Sequence, residues 1–251
     1  LLDQRVRDGV LRRAIDKWLK AGVLEAGSIT HPETGTPQGG VISPVLANIY
    51  LHGVLDTWFE REVKPRLGGP AFVVRYADDA VIVFSNEKDA RRVMEVLPKR
   101  FGKYALALHP TKTQLVPFER PQHSAGKADG QRTGVFDFLG FTHFWGKSRR
   151  GYWVVKQQTA KSRLRRAVQS ITEWCKEHRH MPVPKQQKVL AQKLRGHYGY
   201  FGITGNSQAI GSFLHWVEGV WRKWLDRRSQ HRHMTWQRFT QLMKRYPLHP
   251  R

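Results

Sequence analysis

The chain of 251 residues contains one cysteine, Cys175. A single cysteine excludes an internal disulfide and any cysteine-rich zinc site. The sequence also lacks an apolar run long enough to span a bilayer, and it shows no secretory signal at its start. These absences predict a cytosolic protein with no membrane partner. The aromatic content and the length exclude a disordered chain.

Acidic residues are scarce in the second part of the sequence. The formal net charge is +23. Residues 1–145 hold 20 Lys and Arg against 16 Asp and Glu, a balance of +4, whereas residues 146–251 hold 23 against 4, a balance of +19. This asymmetry predicts that the second part binds a polyanion. An anionic membrane surface is the alternative, but the cationic residues are spread over several predicted helices.

Residues 72–84 read FVVRYADDAVIVF, with two β-branched runs around the adjacent carboxylates Asp78 and Asp79. Short runs of this composition favour strands, so we predict a hairpin over 71–84 with a tight turn at the two aspartates. Neighbouring carboxylates raise each other's pKa unless a cation neutralises them. The pair therefore suggests a metal site for phosphoryl transfer. A solvated turn is the alternative, because aspartate is a common turn residue.

A second motif, GTPQGGVISPVLANIY, occupies residues 35–50. Its paired glycines let the backbone pass close to a ligand, and Ser43-Pro44 predicts the start of a helix. This motif followed by Tyr-Ala-Asp-Asp resembles the reverse transcriptases encoded by bacterial group II introns. The two motifs in this order are far more specific than either motif alone.

The resemblance implies an RNA-directed DNA polymerase and intron maturase. Such a protein binds its group II intron RNA for splicing and reverse-transcribes it during retrohoming into a target DNA. The family's chemistry uses dNTPs and Mg²⁺, with Mn²⁺ as a substitute, and it implies Asp78 and Asp79 as catalytic metal ligands. It also implies a homodimer as one assembly, and a bacterial cytoplasmic location at the nucleoid, where the target DNA lies.

Further site residues follow from the same resemblance. The implied nucleotide and template contacts are Pro37, Gln38, Gly39 and Lys112, and the implied primer grip comprises Leu139 and Gly140. From the residues alone, the alternative at 112 is an exposed turn lysine. Residues 138–141 also fit an ordinary buried strand, in which Gly140 marks a close backbone approach, and this interpretation is compatible with the primer grip.

The predicted fold class is α+β, with a palm-like antiparallel sheet and helices followed by an all-helical domain. We predict a partial reverse transcriptase palm over 1–155 and a helical thumb, or maturase-specific RNA-binding domain, over 156–251. The predicted helices are 2–21, 43–62, 87–102, 157–179, 185–199, 206–228 and 234–246. The predicted strands are 24–30, 71–84 as a hairpin, 106–108, 114–116, 135–144 and 153–156.

Two predicted helices of the second part carry clustered cations, which would contact RNA phosphates with little sequence reading. These residues are Lys161, Arg163, Arg165, Arg166, Arg222, Lys223, Arg227 and Arg228. A solvated face is the alternative, and the scarcity of acids argues against it. The apolar residues Phe213, Trp216, Val220 and Trp224 recur at helical spacing, so we predict that most of them belong to the core.

One element that the family requires is not identifiable in the sequence. It is a third metal-binding aspartate from an earlier palm strand. We expect this residue and the fingers to precede Leu1, and we expect the 251 residues alone not to polymerise. Two other classes stay open: an RNA-binding maturase or splicing factor without polymerase activity, and a metal-dependent nuclease built on the same carboxylates.

Overall fold

The computed structural model of the chain describes residues 6–20, 23–25, 28–30, 42–121, 134–229 and 234–248. The chain forms two compact units, Leu1–Leu115 and Val116–Arg251. Both helices and antiparallel strands are present, which confirms the α+β class. The domain boundary at 155/156 stays a prediction. Among the described residues, no helix combines the length and the apolar character needed to cross a membrane.

The described part of the first unit contains three α-helices and two antiparallel strand pairs. Its elements are α1 Gly9–Leu19, β1 Val23–Glu25, β2 Ser28–Thr30, α2 Ser43–Leu51, β3 Ala71–Tyr76, β4 Asp79–Phe84 and α3 Glu87–Gly102. Side-chain caps fix two of the helix starts. The Asp8 carboxylate accepts from the first amides of α1, and the Asn86 side chain accepts from the Lys88 amide at the start of α3. Such caps satisfy amides that lack a partner within the helix.

The helix predicted over 43–62 is present, but its second half is not a regular α-helix. After α2 the chain continues through two π-helical turns, His52–Asp56 and Phe59–Val63, and then a 3₁₀ turn, Lys64–Arg66. Because a π-turn replaces i→i+4 hydrogen bonds with i→i+5 hydrogen bonds, it changes which backbone carbonyls have a partner within the helix. The Arg100 side chain of α3 donates to the Val54 carbonyl at 3.1 Å, so α3 supports this irregular stretch.

One face of the β3–β4 hairpin packs on the core of the first unit. The buried members of that core are Val54, Leu55, Trp58, Phe59, Ala71, Leu97 and Phe101. The strands predicted at 106–108 and 114–116 are wrong, since neither segment joins a ladder. Leu106 and Leu108 instead pack against the core without pairing. Their hydrophobicity reflects that packing. Pro110, which cannot donate to a ladder, lies two residues after Leu108.

In the second unit, the residues that the structure describes form a three-stranded antiparallel sheet followed by four helices. Its elements are β5 Phe136–Phe138, β6 Phe141–Lys147, β7 Trp153–Thr159, α4 Lys161–Glu177, α5 Val183–Phe201, α6 Ser207–Asp226 and α7 Trp236–Arg245. The four predicted helices are confirmed, with one correction. Strand β7 runs to Thr159, so the helix predicted from 157 begins at Lys161.

A buried glutamine organises the helical part. Gln186 and Trp221 are both fully buried, and the Trp221 indole N–H donates to Gln186 Oε1 at 2.7 Å. The amide nitrogen of Gln186 donates to the carbonyls of His178, Arg179 and Met181 at 2.7, 3.2 and 3.0 Å. One side chain therefore joins the α4–α5 connection to α6, and it provides hydrogen-bond partners for buried polar groups that would otherwise have none.

Candidate active site and nucleic-acid interface

The predicted hairpin over 71–84 is confirmed, and its turn is tighter than expected. Tyr76 pairs with Asp79, so only Ala77 and Asp78 form the turn, and Asp79 is the first residue of β4. Ala77 adopts a φ of 53°, the left-handed conformation that two-residue hairpin turns favour. The prediction that both aspartates form the turn is therefore corrected by one position. Asp78 lies at the tip and Asp79 beside it, and both are exposed.

The turn is anchored through Arg75, which precedes Tyr76 in β3. Its Nε donates to Asp56 Oδ1 at 2.8 Å and its Nη2 to Asp56 Oδ2 at 2.7 Å. Its Nη1 donates to the Ala77 carbonyl and to Asn48 Oδ1, each at 2.8 Å. One guanidinium thus links the backbone of the aspartate turn to two side chains of the preceding helical segment. Such bidentate pairs are geometrically specific.

The charge of this anchor is set by its surroundings. Burial raises the pKa of Asp56, but hydrogen bonds from Arg75 and His52 outweigh burial and hold the pKa below its ordinary value of 3.8. The hydrogen bond from Asp56 correspondingly raises the pKa of Arg75. The pair is therefore ionised at neutral pH. Because its side chains are 11% and 24% exposed, it is better protected from solvent than a surface ion pair.

The π-helical turn explains how Asn48 and Asp56 reach the same guanidinium. Residues eight positions apart on a regular α-helix point about 80° away from each other. The turn His52–Asp56 accommodates one additional residue, which brings Asn48 and Asp56 closer to one line along the helix. π-Turns occur frequently at functional sites. Here α2 supplies Asn48 and the π-turn supplies Asp56 as the two acceptors for the arginine that anchors the aspartate turn.

The exposed carboxylates fit part of a divalent-metal site. Within the part of the chain that the structure describes, no hydrogen bond or ion pair engages the side chain of Asp78 or Asp79, and no group of three or more His, Cys, Asp or Glu side chains comes together to hold a metal. Two open carboxylates suit Mg²⁺, which binds one or two carboxylates together with substrate phosphates and water.

Of the residues predicted to bind nucleotide and template, the structure describes only Lys112. Lys112 is exposed, in a turn closed by the hydrogen bond from the Thr113 amide to the His109 carbonyl at 3.1 Å. Pro37, Gln38 and Gly39 lie outside the described residues. Roles in binding nucleotide or template stay predictions for all four residues.

In the second unit, Leu139 and Gly140 form the two-residue turn between β5 and β6. Both have positive φ, 50° and 79°, so a tight turn at these two residues interrupts the buried strand that was predicted over 138–141. The Tyr200 hydroxyl donates to the Leu139 carbonyl at 2.9 Å, and the Ala160 amide donates to the Gly140 carbonyl at 2.9 Å. A Cβ on Gly140 would lie 3.4 Å from the Phe201 ring. The turn is thus held from several sides, and its role as a primer grip stays a prediction.

The predicted RNA-binding cations fall into two groups. Six are exposed: Lys161, Arg163, Arg165, Arg166, Lys223 and Arg227. The other two are half-buried and donate hydrogen bonds to backbone carbonyls. Arg222 donates to the Met234 carbonyl at 3.0 Å and stacks on Trp236, and Arg228 donates to the carbonyls of Arg179 and Met181 while burial lowers its pKa. The exposed group is the better placed to contact phosphates.

The antiparallel hairpin with a carboxylate tip, packed on helices, is consistent with the palm of a polymerase. A model of the reverse transcriptase (RNA-dependent DNA polymerase) family matches residues 5–143, and one of the group II intron maturase-specific domain matches residues 164–246. The chain therefore belongs to the reverse transcriptase family, in the form encoded by group II introns. Dependence on divalent metal ions is general in this family.

Individual relatives cover less of the chain. The group II intron-encoded protein LtrA of Lactococcus lactis subsp. cremoris is 41% identical over 73 residues, 27% of this chain and 12% of LtrA. An uncharacterized 91 kDa protein in the cob intron of Schizosaccharomyces pombe is 43% identical over 60 residues, 24% of this chain and 7% of that protein. Protein YkfC of Escherichia coli K12 is 27% identical over 202 residues, 67% of this chain and 48% of YkfC. The chain thus spans under half the length of each of these relatives.

Proposed function

We propose that this chain acts in RNA-directed DNA synthesis and in splicing of a group II intron. The observation that carries the proposal is the pair of open carboxylates, Asp78 and Asp79, on a turn anchored by Arg75. A turn that only reversed the chain would need neither the adjacent charges nor the guanidinium bound to its backbone. The family match and the cationic helical unit support the same conclusion.

The chain's own residues would act by positioning and charge. Asp78 and Asp79 would hold the divalent ion, which we propose is Mg²⁺, with Mn²⁺ able to replace it. When bound, the ion would neutralise phosphate charge and lower the pKa of the primer hydroxyl. Arg75 holds the Ala77 carbonyl, so it would limit movement of the turn. Lys112 would add positive charge for the phosphates of an incoming dNTP.

The exposed cations of α4 and α6 would bind the phosphate backbone of intron RNA. Each phosphate contact releases counterions, so affinity should fall steeply with salt and depend little on sequence. The matched maturase-specific domain includes most of these residues. We further propose the target DNA and dNTPs as partners, a homodimer as the assembly, and the nucleoid as the cellular site.

A metal-binding measurement tests the carboxylate site without relying on catalysis. Mn²⁺ titration of the chain, followed by electron paramagnetic resonance, should show a bound ion that the Asp78→Asn, Asp79→Asn double variant loses. Asp16→Asn, which changes another exposed carboxylate on α1, serves as the control and should leave binding unchanged. Equal Mn²⁺ binding by the double variant and the wild type would contradict the proposed site.

Splicing and DNA synthesis can be separated in the protein expressed from its native gene. Asp78→Ala should abolish cDNA synthesis and leave intron splicing intact, because RNA binding is proposed to depend on the helical unit. Loss of splicing without loss of cDNA synthesis would contradict this division of roles. Wild-type protein that splices but makes no cDNA would favour the maturase without polymerase activity, which the match to the maturase-specific domain keeps as the second candidate.

A further inference from the structure

An open groove lies between α4 and α6 in the second unit. Its volume is about 600 Å³, and its apolar walls include Leu164, Val168 and Val220, with Trp236 contributed by the start of α7. This volume is within the roughly 300–1,000 Å³ range of small-molecule sites. The groove is therefore large enough for a nucleobase or a side chain of a partner.

Two tryptophans line the groove and remain accessible. Trp216 is 45% exposed and Trp236 is 51% exposed. Trp216 is therefore the exception among the four apolar residues of α6, most of which were predicted to belong to the core. Phe213 is fully buried, and Val220 and Trp224 pack against the core. The Arg222 guanidinium lies 4.3 Å from the centroid of the Trp236 ring and so holds that ring in place. Exposed, fixed aromatic rings are the usual platforms for flat ligands.

Gly219 keeps the wall of the groove open. It lies in the middle of α6, where glycine is less stabilising than alanine. A Cβ added to Gly219 would meet no atom within 4 Å, so close packing does not require glycine here. A large side chain at this position would extend into open space at the groove. This makes Gly219 a suitable position from which to fill it.

The charge around the groove indicates the kind of occupant. Lys161, Arg165 and Lys223 line it, and none of its described lining residues is acidic. A purely apolar partner would leave these cations without an anionic group to pair with, and a cationic partner would be repelled. Together, apolar walls, exposed indole rings and a cationic rim complement a ligand with a flat base and a phosphate.

We propose that this groove binds an unpaired nucleotide of an RNA strand, with its base against Trp216 and its phosphate at Lys161, Arg165 and Lys223. The proposal rests on the proposed RNA-binding function and narrows it to single-stranded or bulged RNA. A continuous duplex keeps its bases stacked inside the helix, so it cannot place a base in the groove. Stacking of this kind tolerates different bases because every base has an aromatic face.

Fluorescence anisotropy of the 251-residue chain tests the proposal with two labelled probes, a short single-stranded RNA of mixed sequence and a blunt RNA duplex of the same length. Trp216→Ala and Gly219→Leu should each weaken single-strand binding about tenfold and leave duplex binding unchanged. Trp216→Phe should retain most of the affinity, because it preserves an aromatic face. Gly196→Leu is the matched control, since an added Cβ there also meets no atom within 4 Å and Gly196 does not line the groove.

The salt dependence of binding distinguishes the contribution of base stacking from that of the phosphate contacts. Trp216→Ala should leave the slope of log affinity against log salt unchanged, whereas Lys223→Gln should reduce it by about one. Thermal unfolding of each variant verifies its fold, and Gly219→Leu provides the test should Trp216→Ala unfold.

Several results would overturn the proposal. Wild-type single-strand affinity in both Trp216→Ala and Gly219→Leu would exclude the groove while leaving RNA binding elsewhere intact. Equal losses on the single strand and the duplex would exclude recognition of an unpaired base. A dimer that Trp216→Ala dissociates in light scattering would identify a second copy of the chain as the occupant. A wild-type chain that binds neither RNA at low salt would instead reject the RNA-binding function itself.

Discussion

Arg75 and Asp56 form a two-pronged ion pair, with Nε and Nη2 of the arginine 2.8 and 2.7 Å from the two carboxylate oxygens. The same guanidinium also binds the carbonyl of Ala77, one residue before the exposed Asp78. A helical segment and the tip of a β-hairpin are thereby joined at one side chain. The positions of the two candidate metal ligands depend on this junction.

Replacing Arg75 should weaken both the fold and the metal site. Arg75→Met leaves the Asp56 carboxylate without its guanidinium, and because Asp56 is partly exposed we expect a loss of about 1–3 kcal/mol, less than for a fully buried pair. Positioning partners of metal ligands typically contribute about 10- to 100-fold to metal affinity, so Mn²⁺ affinity should fall by at least about tenfold. Urea unfolding and Mn²⁺ titration measure the two effects. Arg61→Lys, on the exposed side of the same helical segment, is the control, and undiminished Mn²⁺ affinity in Arg75→Met would contradict the anchoring role.

Substitution by glycine should have opposite effects on stability at two nearby alanines, Ala77 and Ala80. Ala77 pays a conformational cost at a φ of 53°, which glycine avoids. Ala77→Gly should therefore stabilise the protein by about 0.5–1 kcal/mol after the greater freedom of the unfolded chain is included. Ala80→Gly, in regular strand β4, should destabilise it by about 0.5–1 kcal/mol. Urea unfolding compares the two variants, and destabilisation by Ala77→Gly would contradict the two-residue turn.

Removing Gln186 should strongly destabilise the helical unit. Gln186→Leu leaves the buried Trp221 indole N–H and the carbonyls that accept from the Gln186 amide without hydrogen-bond partners. We expect this to lower the free energy of unfolding by about 2–4 kcal/mol. Combining Gln186→Leu with Trp221→Phe removes both partners of the 2.7 Å bond, so the two losses should be less than additive. Urea unfolding of the four proteins gives the coupling. Gln192→Leu, at an exposed position of α5, should change stability little, and full additivity would contradict the proposed bond.

Stability should decrease on acidification through the imidazole of His197. The ring stacks on Phe213 with centroids 3.9 Å apart, and burial lowers its pKa below the ordinary value of 6.5. The unfolded chain therefore binds the proton more readily, so stability is full above about pH 6.5 and falls as the pH drops toward the lowered folded value. His197→Phe should show a weaker decline between about pH 7.5 and about pH 5.5 in urea unfolding. The stability of His180→Gln, which changes an exposed position, should fall with pH as that of the wild type does. If the stability of His197→Phe falls as much as that of the wild type, His197 is not the source of the pH dependence.

Local sequence patterns predicted the elements better than the contacts between them. β-Branched runs predicted the hairpin over 71–84, but the position of its turn depends on the pairing of Tyr76 with Asp79, which composition does not determine. The strand expected at 106–108 failed because an apolar run can pack on a core without a strand beside it. The strand expected at 114–116 failed because Leu115 is exposed and the segment joins no ladder.

The anchor of the candidate site was not predicted at all. Arg75 and Asp56 are 19 positions apart, and Asp56 reaches the guanidinium from an irregular helical segment that no periodicity reveals. A signal was present in retrospect, since Arg75 immediately precedes the Tyr-Ala-Asp-Asp motif and Asn48 closes the Ser-Pro-x-x-Ala-Asn motif. Composition identified the cationic unit correctly but could not distinguish the exposed arginines from Arg228, whose partners are backbone carbonyls of a distant turn.

Asp78 is the residue on which the account depends most. The decisive measurement is cDNA synthesis on an RNA template by the protein expressed from its native gene, compared between wild type and Asp78→Asn at equal RNA occupancy. The substitution removes one metal-binding charge and preserves the shape of the side chain, so synthesis should fall by at least about 100-fold while RNA binding is unchanged. Wild-type synthesis by Asp78→Asn would contradict the assignment of the hairpin tip as the catalytic metal site.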